Sequence, residues 1–346
     1  MGRSAPATTL HLHVGIHKTA STTIQHRLQA NHALLASHGL LVPRLRRQHM
    51  ALVRALQAGC FDPWEAQLEQ ASARGCHLLI SAEVLSLELA RSAGGSASGA
   101  PSHLAWLRQQ LERRGVRLHL VAFVRDQPAY LNSRYTQLIK RFYFSHRFDE
   151  YVAAVLAGRQ DESCCDFRML FADALEDPAV ETSFLPFPGD GSDPCERLLA
   201  ELPVAVSLEP IDRALANAQP GWRTVWLAHW LAGRLRANHP QLWRDSEVRR
   251  GLRRRLERLA EQQGWPADPF VGLTLRLQRQ IESHFAASND WFAQRAWGCS
   301  WRDRMAAPDR PTPCCRPADP LERQQLVAIG QQLLADVSRS SVSRRP

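Results

Sequence analysis

The chain has 346 residues, of which 45% are hydrophobic and 22% are charged, a composition typical of a folded globular protein that excludes a disordered or collagen-like chain. Its 43 Lys and Arg residues outnumber its 34 Asp and Glu residues, and the net charge of +9 favours anionic ligands without choosing among nucleotide, nucleic acid and acidic glycan. Every apolar run is shorter than the roughly 18 residues that a membrane span requires, so we expect no membrane span.

The N-terminal residues MGRSAPATTL lack the basic start and the apolar core of a signal peptide, so we expect a cytoplasmic protein. Eight cysteines include two adjacent pairs but no spacing typical of a zinc site. The sequence therefore predicts reduced thiols and no bound metal.

The predicted strands are short apolar runs, and they lie at residues 10–16, 77–81, 117–124 and 182–187. Helical spacing separates them: Ile24, Leu28 and Leu35 share one helix face, and a second helix is predicted over 103–114. Strands that are apolar on both faces and alternate with helices are typical of a covered parallel sheet. We therefore expect an α/β, three-layer fold with a central parallel sheet.

The C-terminal half is predicted to be mostly helical, with helices over 220–238, 246–263, 269–286 and 320–337. Small and Pro-rich stretches suggest where the organisation changes. The predicted segments are an α/β domain with a helical C-terminal part over 1–306, a Pro-rich connector over 307–319, a C-terminal helix over 320–337 and a disordered tail over 338–346.

The loop after the first strand, G-I-H-K-T-A-S-T-T over residues 15–23, has the residues of a phosphate site. A strand that runs through a short loop into a helix offers unpaired backbone N–H groups and the positive end of the helix dipole. Lys18, one of only two lysines in the chain, adds a cation, and Thr19, Ser21, Thr22 and Thr23 add hydroxyl donors. In the alternative interpretation these hydroxyls only cap the helix and the lysine is solvated.

The loop is not a Walker A sequence, because that motif requires Gly directly before Lys and His17 stands there. With the following I-Q-H-R-L, it resembles the phosphosulfate-binding loop of sulfotransferases that use 3′-phosphoadenosine 5′-phosphosulfate (PAPS), in particular a bacterial branch with the loop G-x-H-K-T-G-T-T. The resemblance implies a P-loop-like fold and a loop that holds the phosphosulfate. The residues it assigns to cofactor binding are Lys18, Thr19, Ala20, Ser21, Thr22 and Thr23.

Two loop residues differ from the family pattern: Ala20 stands where the family usually has Gly, and Ser21 replaces Thr. At Ala20 a methyl group occupies a position where Gly allows the backbone to approach phosphate closely.

A second motif of the resembled family places an Arg at the end of a later strand and a Ser eight residues on, where the two bind the 3′-phosphate. Here Arg125 ends the strand predicted over 117–124, and Ser133 has that spacing within V-R-D-Q-P-A-Y-L-N-S. An Arg side chain can donate bidentate hydrogen bonds to phosphate. Taken alone, Arg125 is also compatible with a structural salt bridge.

The family further implies an acidic base after a middle strand, and Glu83 in S-A-E at 81–83 fits that position. His17 competes for the role, because an imidazole has a pKa suited to general-base catalysis. In the alternative interpretation Glu83 is a carboxylate in the first turn of a helix capped by Ser81. We take Glu83 as the first candidate.

Two features have structural explanations that we favour. Trp222, Trp226 and Trp230 recur at helical spacing and are interpreted as core. The Arg-rich run over 248–258 is interpreted as a solvated helix face, with a polyanion-binding patch as the alternative.

The resemblance implies transfer of a sulfuryl group from PAPS to a hydroxyl or amine of an acceptor, expected to be a glycan or glycolipid, with 3′-phosphoadenosine 5′-phosphate (PAP) as product. Lys18 would meet charge that builds on the leaving phosphate, and Glu83 or His17 would take the acceptor proton. The first alternative is a nucleotide-dependent kinase with Asp126 as a magnesium ligand. The second alternative is a basic module that binds nucleic acid. We favour the transferase over it and expect no nucleic-acid partner.

Overall fold

The central sheet has five described strands, and all of their pairings are parallel. The computed structural model describes residues 8–44, 46–92, 101–188, 191–209, 219–305 and 312–342. The strands are β1 (Thr9–His13), β2 (Leu40–Leu41), β3 (His77–Ser81), β4 (Arg117–Arg125) and β5 (Val180–Phe187), in the order β2-β3-β1-β4-β5. The predicted α/β class with a parallel sheet is confirmed.

Ten helices are described in the first 200 residues. They are α1 (Ser21–Ala30), α2 (His32–Ser37), α3 (Arg46–Gln57), α4 (Asp62–Ser72), α5 (Leu85–Ala90), α6 (His103–Glu112), α7 (Gln127–Lys140), α8 (Phe148–Leu156), α9 (Phe167–Glu176) and α10 (Pro194–Ala200). The rest of the described chain is helical without strands. Its helices are α11 (Trp222–Asn238), α12 (Pro240–Arg244), α13 (Ser246–Gln262), α14 (Leu275–Trp297), α15 (Trp301–Arg304) and α16 (Pro320–Val342).

Helices cover both faces of the sheet. On one face, Val121 and Phe123 of β4 belong to a buried cluster with Ile24 of α1 and Leu198 of α10. On the other face, Leu120 lines a small cavity with side chains of α6 and α9. This burial on both faces explains why the strands are nearly continuous apolar runs.

The chain forms two compact units made of discontinuous segments. The first consists of residues 1–126, 162–217 and 285–307 and contains the sheet; the second consists of residues 127–161, 218–284 and 308–346. In the second unit, α11 packs against α7, α12, α13 and α16. The segments predicted from composition are continuous stretches of chain. Each of the two units, in contrast, is made of three separate stretches.

Several helix ends differ from the predicted ones. The helix predicted over 269–286 begins at Leu275, because the hydroxyl of Thr274 accepts the backbone N–H of Leu277 and caps it. It continues to Trp297, since Phe292 and Ala293 keep an apolar face buried. The last helix runs to Val342 rather than 337. Residues 307–311 of the predicted connector and 343–346 of the predicted tail lie outside the described residues.

Within the described part of the chain, we find no helix long and apolar enough to span a membrane.

Candidate functional site

The loop between β1 and α1 has an unusual backbone. Lys18 has a φ of 70° and Ala20 a φ of 61°, both in the left-handed region that side chains with a Cβ rarely adopt. Ala20 is the residue at which α1 begins, and its carbonyl accepts the N–H of Ile24. Left-handed residues next to a helix N-terminus turn successive N–H groups toward one point, which forms a concave anion site. Where the resembled family has Gly, this chain therefore holds a strained Ala.

Thr19 stabilises the loop from inside. Its side chain is fully buried, and its hydroxyl donates to the carbonyl of Ile16 at 2.7 Å. In this structure the hydroxyl is used within the loop, and the assignment of Thr19 to cofactor binding stays a prediction. Gly15 leaves little room beside it: a Cβ at Gly15 would lie 3.1 Å from Thr19 Oγ1 and 3.3 Å from His13 Nε2, so a larger residue would require these side chains to shift.

Ser21, Thr22 and Thr23 form the first turn of α1. Ser21 is buried and the two threonines are half-buried, as is Lys18. The first turn of α1 itself contains no acidic residue, and the nearby carboxylate is that of Glu83, which comes from the segment after β3.

His17 and Glu83 lie together although 66 residues separate them in the chain. The Nδ1–H of His17 donates to Glu83 Oε2 at 3.0 Å, and the hydroxyl of Ser21 lies 3.4 Å from the same oxygen. Both side chains are about 30% exposed, so the pair can be reached from solvent. Burial raises the pKa of the Glu83 carboxyl, but the hydrogen bond and charge of His17 outweigh it, and the pKa lies below its usual value.

Glu83 is not a helix-capping residue. The helix that follows, α5, begins at Leu85 with no side-chain cap, and the acidic residue in its first turn is Glu88. Ser81 does not cap it either, because its hydroxyl lies 2.8 Å from His13 Nδ1. The alternative interpretation, in which Glu83 lies in the first turn of a helix capped by Ser81, is therefore wrong.

The strand order brings these residues together. β1 lies between β3 and β4, so the carboxyl ends of the three strands lie side by side at one edge of the sheet. Ligands of open parallel sheets bind at this edge, next to the strand where the order of connections reverses. The loop after β1, Glu83 after β3 and Arg125 at the end of β4 all lie there.

Arg125 contacts the loop itself. Its Nη1 donates to the carbonyl of Lys18 at 2.9 Å, and its guanidinium lies over the ring of Phe187, 5.6 Å from the centroid. Burial lowers the pKa of Arg125 against an opposing effect of Asp126, yet an Arg stays a cation at neutral pH. Ser133, its predicted partner at the 3′-phosphate, is buried on α7 in the second unit.

Sequence reasoning missed His13, which lies beneath the loop. Its side chain is 1% exposed, and within the described residues its Nε2 has no hydrogen-bond partner. Burial lowers the pKa of His13 to about 4, so the ring is neutral at pH 7. The signal was present as the two polar residues His11 and His13 in the otherwise apolar run L-H-L-H-V-G.

Across the residues that the structure describes, no group of three or more His, Cys, Asp or Glu side chains is placed to hold a metal ion. Comparisons with protein-family models, with curated proteins and with solved structures find no match to this chain.

Proposed function

We propose that the protein transfers a sulfuryl group from PAPS to a hydroxyl or amine of an acceptor. The observation that carries the proposal is the pairing of His17 with Glu83 directly beside the left-handed loop that leads into α1. An anion site with an adjacent solvent-reachable base is what group transfer to a neutral nucleophile needs. The acceptor class, a glycan or glycolipid, and the cytoplasmic location stay predictions.

The residues present fit the anionic half of PAPS. The N–H groups of the loop and the hydroxyls of Ser21 and Thr22 would hold the phosphosulfate, and Lys18 would neutralise charge on the 5′-phosphate as it leaves. Arg125 would serve the nucleotide side, since its Nη1 already lies at the loop. When bound, PAPS supplies an activated sulfuryl group.

In the proposed reaction the acceptor oxygen or nitrogen forms a bond to sulfur while the bond from sulfur to the 5′-phosphate oxygen breaks. The acceptor proton goes to the base, and PAP leaves with the electron pair of the broken bond. We assign the base to His17 Nε2, because Glu83 accepts the hydrogen on Nδ1 and so leaves the lone pair on Nε2. Glu83 then orients the ring. The lowered pKa of its carboxyl makes it a weaker base than an ordinary glutamate, so we assign it the orienting role.

The test is calorimetric titration of the full chain with PAP, AMP and ADP, with and without magnesium. We expect PAP to bind without magnesium and at least about tenfold more tightly than AMP, because an added phosphate that meets a charged donor contributes about 1.5 to 3 kcal/mol. The variant Arg125→Ala is the matched control and should lose most of that preference. Equal affinity for PAP and ADP contradicts the proposal, and strict magnesium dependence supports a phosphotransferase with Asp126 as ligand instead.

A further inference from the structure

The positive charge of the chain belongs to its second unit. That unit carries 23 Lys and Arg residues against 13 Asp and Glu residues, a net charge of +10, whereas the first unit carries 20 against 21, a net charge of −1. A sulfuryl transferase needs positive charge at its phosphate loop, but the loop lies in the first unit. The excess charge of the second unit therefore does not belong to the phosphate loop itself.

Helix α13 concentrates this charge. It contains six arginines in 17 residues, and three of them, Arg250, Arg254 and Arg258, are exposed. Their four-residue spacing places them about 6 Å apart along one side of the helix. The opposite side is buried through Leu252 and Leu256, so this row faces solvent.

The other arginines of α13 differ from this row because several have partners inside the unit. Arg253 Nε lies 3.0 Å from Glu257 Oε1, and Arg249 Nη1 lies 3.4 Å from the carbonyl of Phe142. In contrast, Arg254 and Arg258 form no ion pair or hydrogen bond with any described residue, and Arg250 pairs with Glu247 of the same helix.

Like charges four residues apart on a helix repel one another and destabilise it. In the row of three exposed arginines, the Arg250–Glu247 pair offsets part of this repulsion, whereas Arg254 and Arg258 have no such contact with a described residue. An anionic chain laid along the row would offset the rest. Arg forms bidentate hydrogen bonds with sulfate and carboxylate groups, so an arginine row is suited to binding an anionic chain.

We propose that the row Arg250, Arg254 and Arg258 of α13 binds an anionic polysaccharide. A single-stranded nucleic acid is the competing partner, but such partners are held by aromatic side chains on which bases stack. Helix α13 contains no aromatic residue, so the row itself has no ring on which a base could stack. The row lies outside the phosphate loop, so this proposal and the sulfotransferase proposal can fail separately.

The test measures binding of the full chain to heparin, with neutral dextran as the negative probe. The triple variant Arg250→Gln, Arg254→Gln, Arg258→Gln should bind heparin about tenfold or more weakly near 0.15 M salt. Its plot of log Kd against log salt should be shallower by about two to three, because fewer counterions are released. The matched control removes the same charge from exposed arginines of the first unit: Arg54→Gln, Arg74→Gln, Arg113→Gln. This control should bind heparin as the wild type does.

Two readouts keep the result interpretable. Removing like charges should leave the melting temperature of the row variant equal to or above that of the wild type, so weaker binding cannot be assigned to unfolding. PAP affinity should be unchanged in both triple variants. Equal heparin affinity of the row and control variants overturns the proposal. So does tighter binding of single-stranded RNA or duplex DNA than of heparin with the same number of charges, which would assign the surface to nucleic acid.

Discussion

Ala20 adopts a backbone conformation that suits glycine, and this gives a direct test of the loop. The left-handed conformation costs a residue with a Cβ roughly 1 to 2 kcal/mol, and Gly avoids that cost. Gly also loses more conformational entropy on folding, which offsets part of the gain. We predict that Ala20→Gly raises the free energy of unfolding by about 1 kcal/mol, measured by chemical denaturation.

The matched control is Ala66→Gly on the exposed side of α4 in the same unit. There the backbone is helical, so Gly should lower the free energy of unfolding by about 0.5 to 1 kcal/mol. Opposite signs for the two substitutions are expected. A loss of stability in Ala20→Gly would mean that the left-handed loop conformation is wrong.

The His17 and Glu83 pair allows the base to be assigned by two variants. His17→Gln keeps a hydrogen-bond donor toward Glu83 but removes the basic nitrogen, so it should lower kcat by about 10²- to 10⁴-fold if His17 is the base. The measurement is the initial rate of sulfuryl transfer with PAPS, with PAP affinity as the control. Near-normal turnover of His17→Gln, together with a large loss in Glu83→Gln, would return the role to Glu83.

The pair also sets a pH dependence of stability. The pKa of Glu83 is lowered in the folded chain, so its contribution to stability is complete above its ordinary pKa and is lost as the pH falls through the folded value. Glu83→Gln should therefore be less stable than the wild type at pH 7, and the difference should shrink in acid. Denaturation curves at pH 7 and below pH 4 measure this, and a difference that grows in acid contradicts the assigned contact.

At the scale of elements, the end of β4 is joined to the β1–α1 loop through Arg125 and the carbonyl of Lys18. In the proposed complex Arg125 also binds the 3′-phosphate, and loss of a charged hydrogen bond to that phosphate costs about 1.5 to 3 kcal/mol. Arg125→Ala should therefore raise the KM for PAPS by about 10- to 150-fold. Lys18→Ala should instead lower kcat, because its ammonium meets charge that grows in the transition state.

Steady-state kinetics with varied PAPS separates these two effects. The matched control for Arg125 is Arg125→Lys. Lys keeps the positive charge but cannot donate bidentate hydrogen bonds, so this variant should recover only part of the affinity for PAPS. Identical losses of kcat with unchanged KM in both alanine variants would show that neither role is correctly assigned.

At the scale of the whole molecule, the sheet of the first unit buries a row of histidines. His11 and His119 lie with their Nδ1 atoms 2.9 Å apart on adjacent strands, and His119 Nε2 lies 3.1 Å from Ser183 Oγ. Burial, followed by the charges of neighbouring His119, His77 and Arg117, lowers the pKa of His11, and burial lowers that of His119. Both rings are therefore neutral in the folded protein at pH 7.

This row predicts acid sensitivity. Below about pH 6.5 the unfolded chain takes up protons that the folded chain does not, so stability falls as the pH falls, by about 1.4 kcal/mol per pH unit for each buried histidine. The double variant His11→Leu, His119→Leu replaces both partners by apolar groups, so it should retain most stability at pH 8 and lose less on acidification. Free energies of unfolding at pH 8, 6 and 5 provide the measurement. An unaltered pH dependence in the double variant contradicts this explanation.

Sequence alone determined the local part of this protein: the α/β class, four of the strands, the strand–loop–helix connection over 15–23 and the polar residues after each strand. These features follow from hydrogen bonds and apolar spacing within a short stretch, which propensity and periodicity record. Strand β2 was not predicted, because a strand of two residues is too short to show an alternating or apolar pattern. The end of α14 was misplaced because its second half is defined by burial rather than by local spacing.

The tertiary structure alone decided which of the candidate site residues lie together. That His17 meets Glu83 depends on β1 lying beside β3, and the order of strands in a sheet is not contained in any local pattern. The inward hydroxyl of Thr19 and the bond from Arg125 to Lys18 likewise depend on contacts across long stretches of chain. A loop sequence specifies which donors are available, but the packing around it determines which of them are already used and which are left for a ligand.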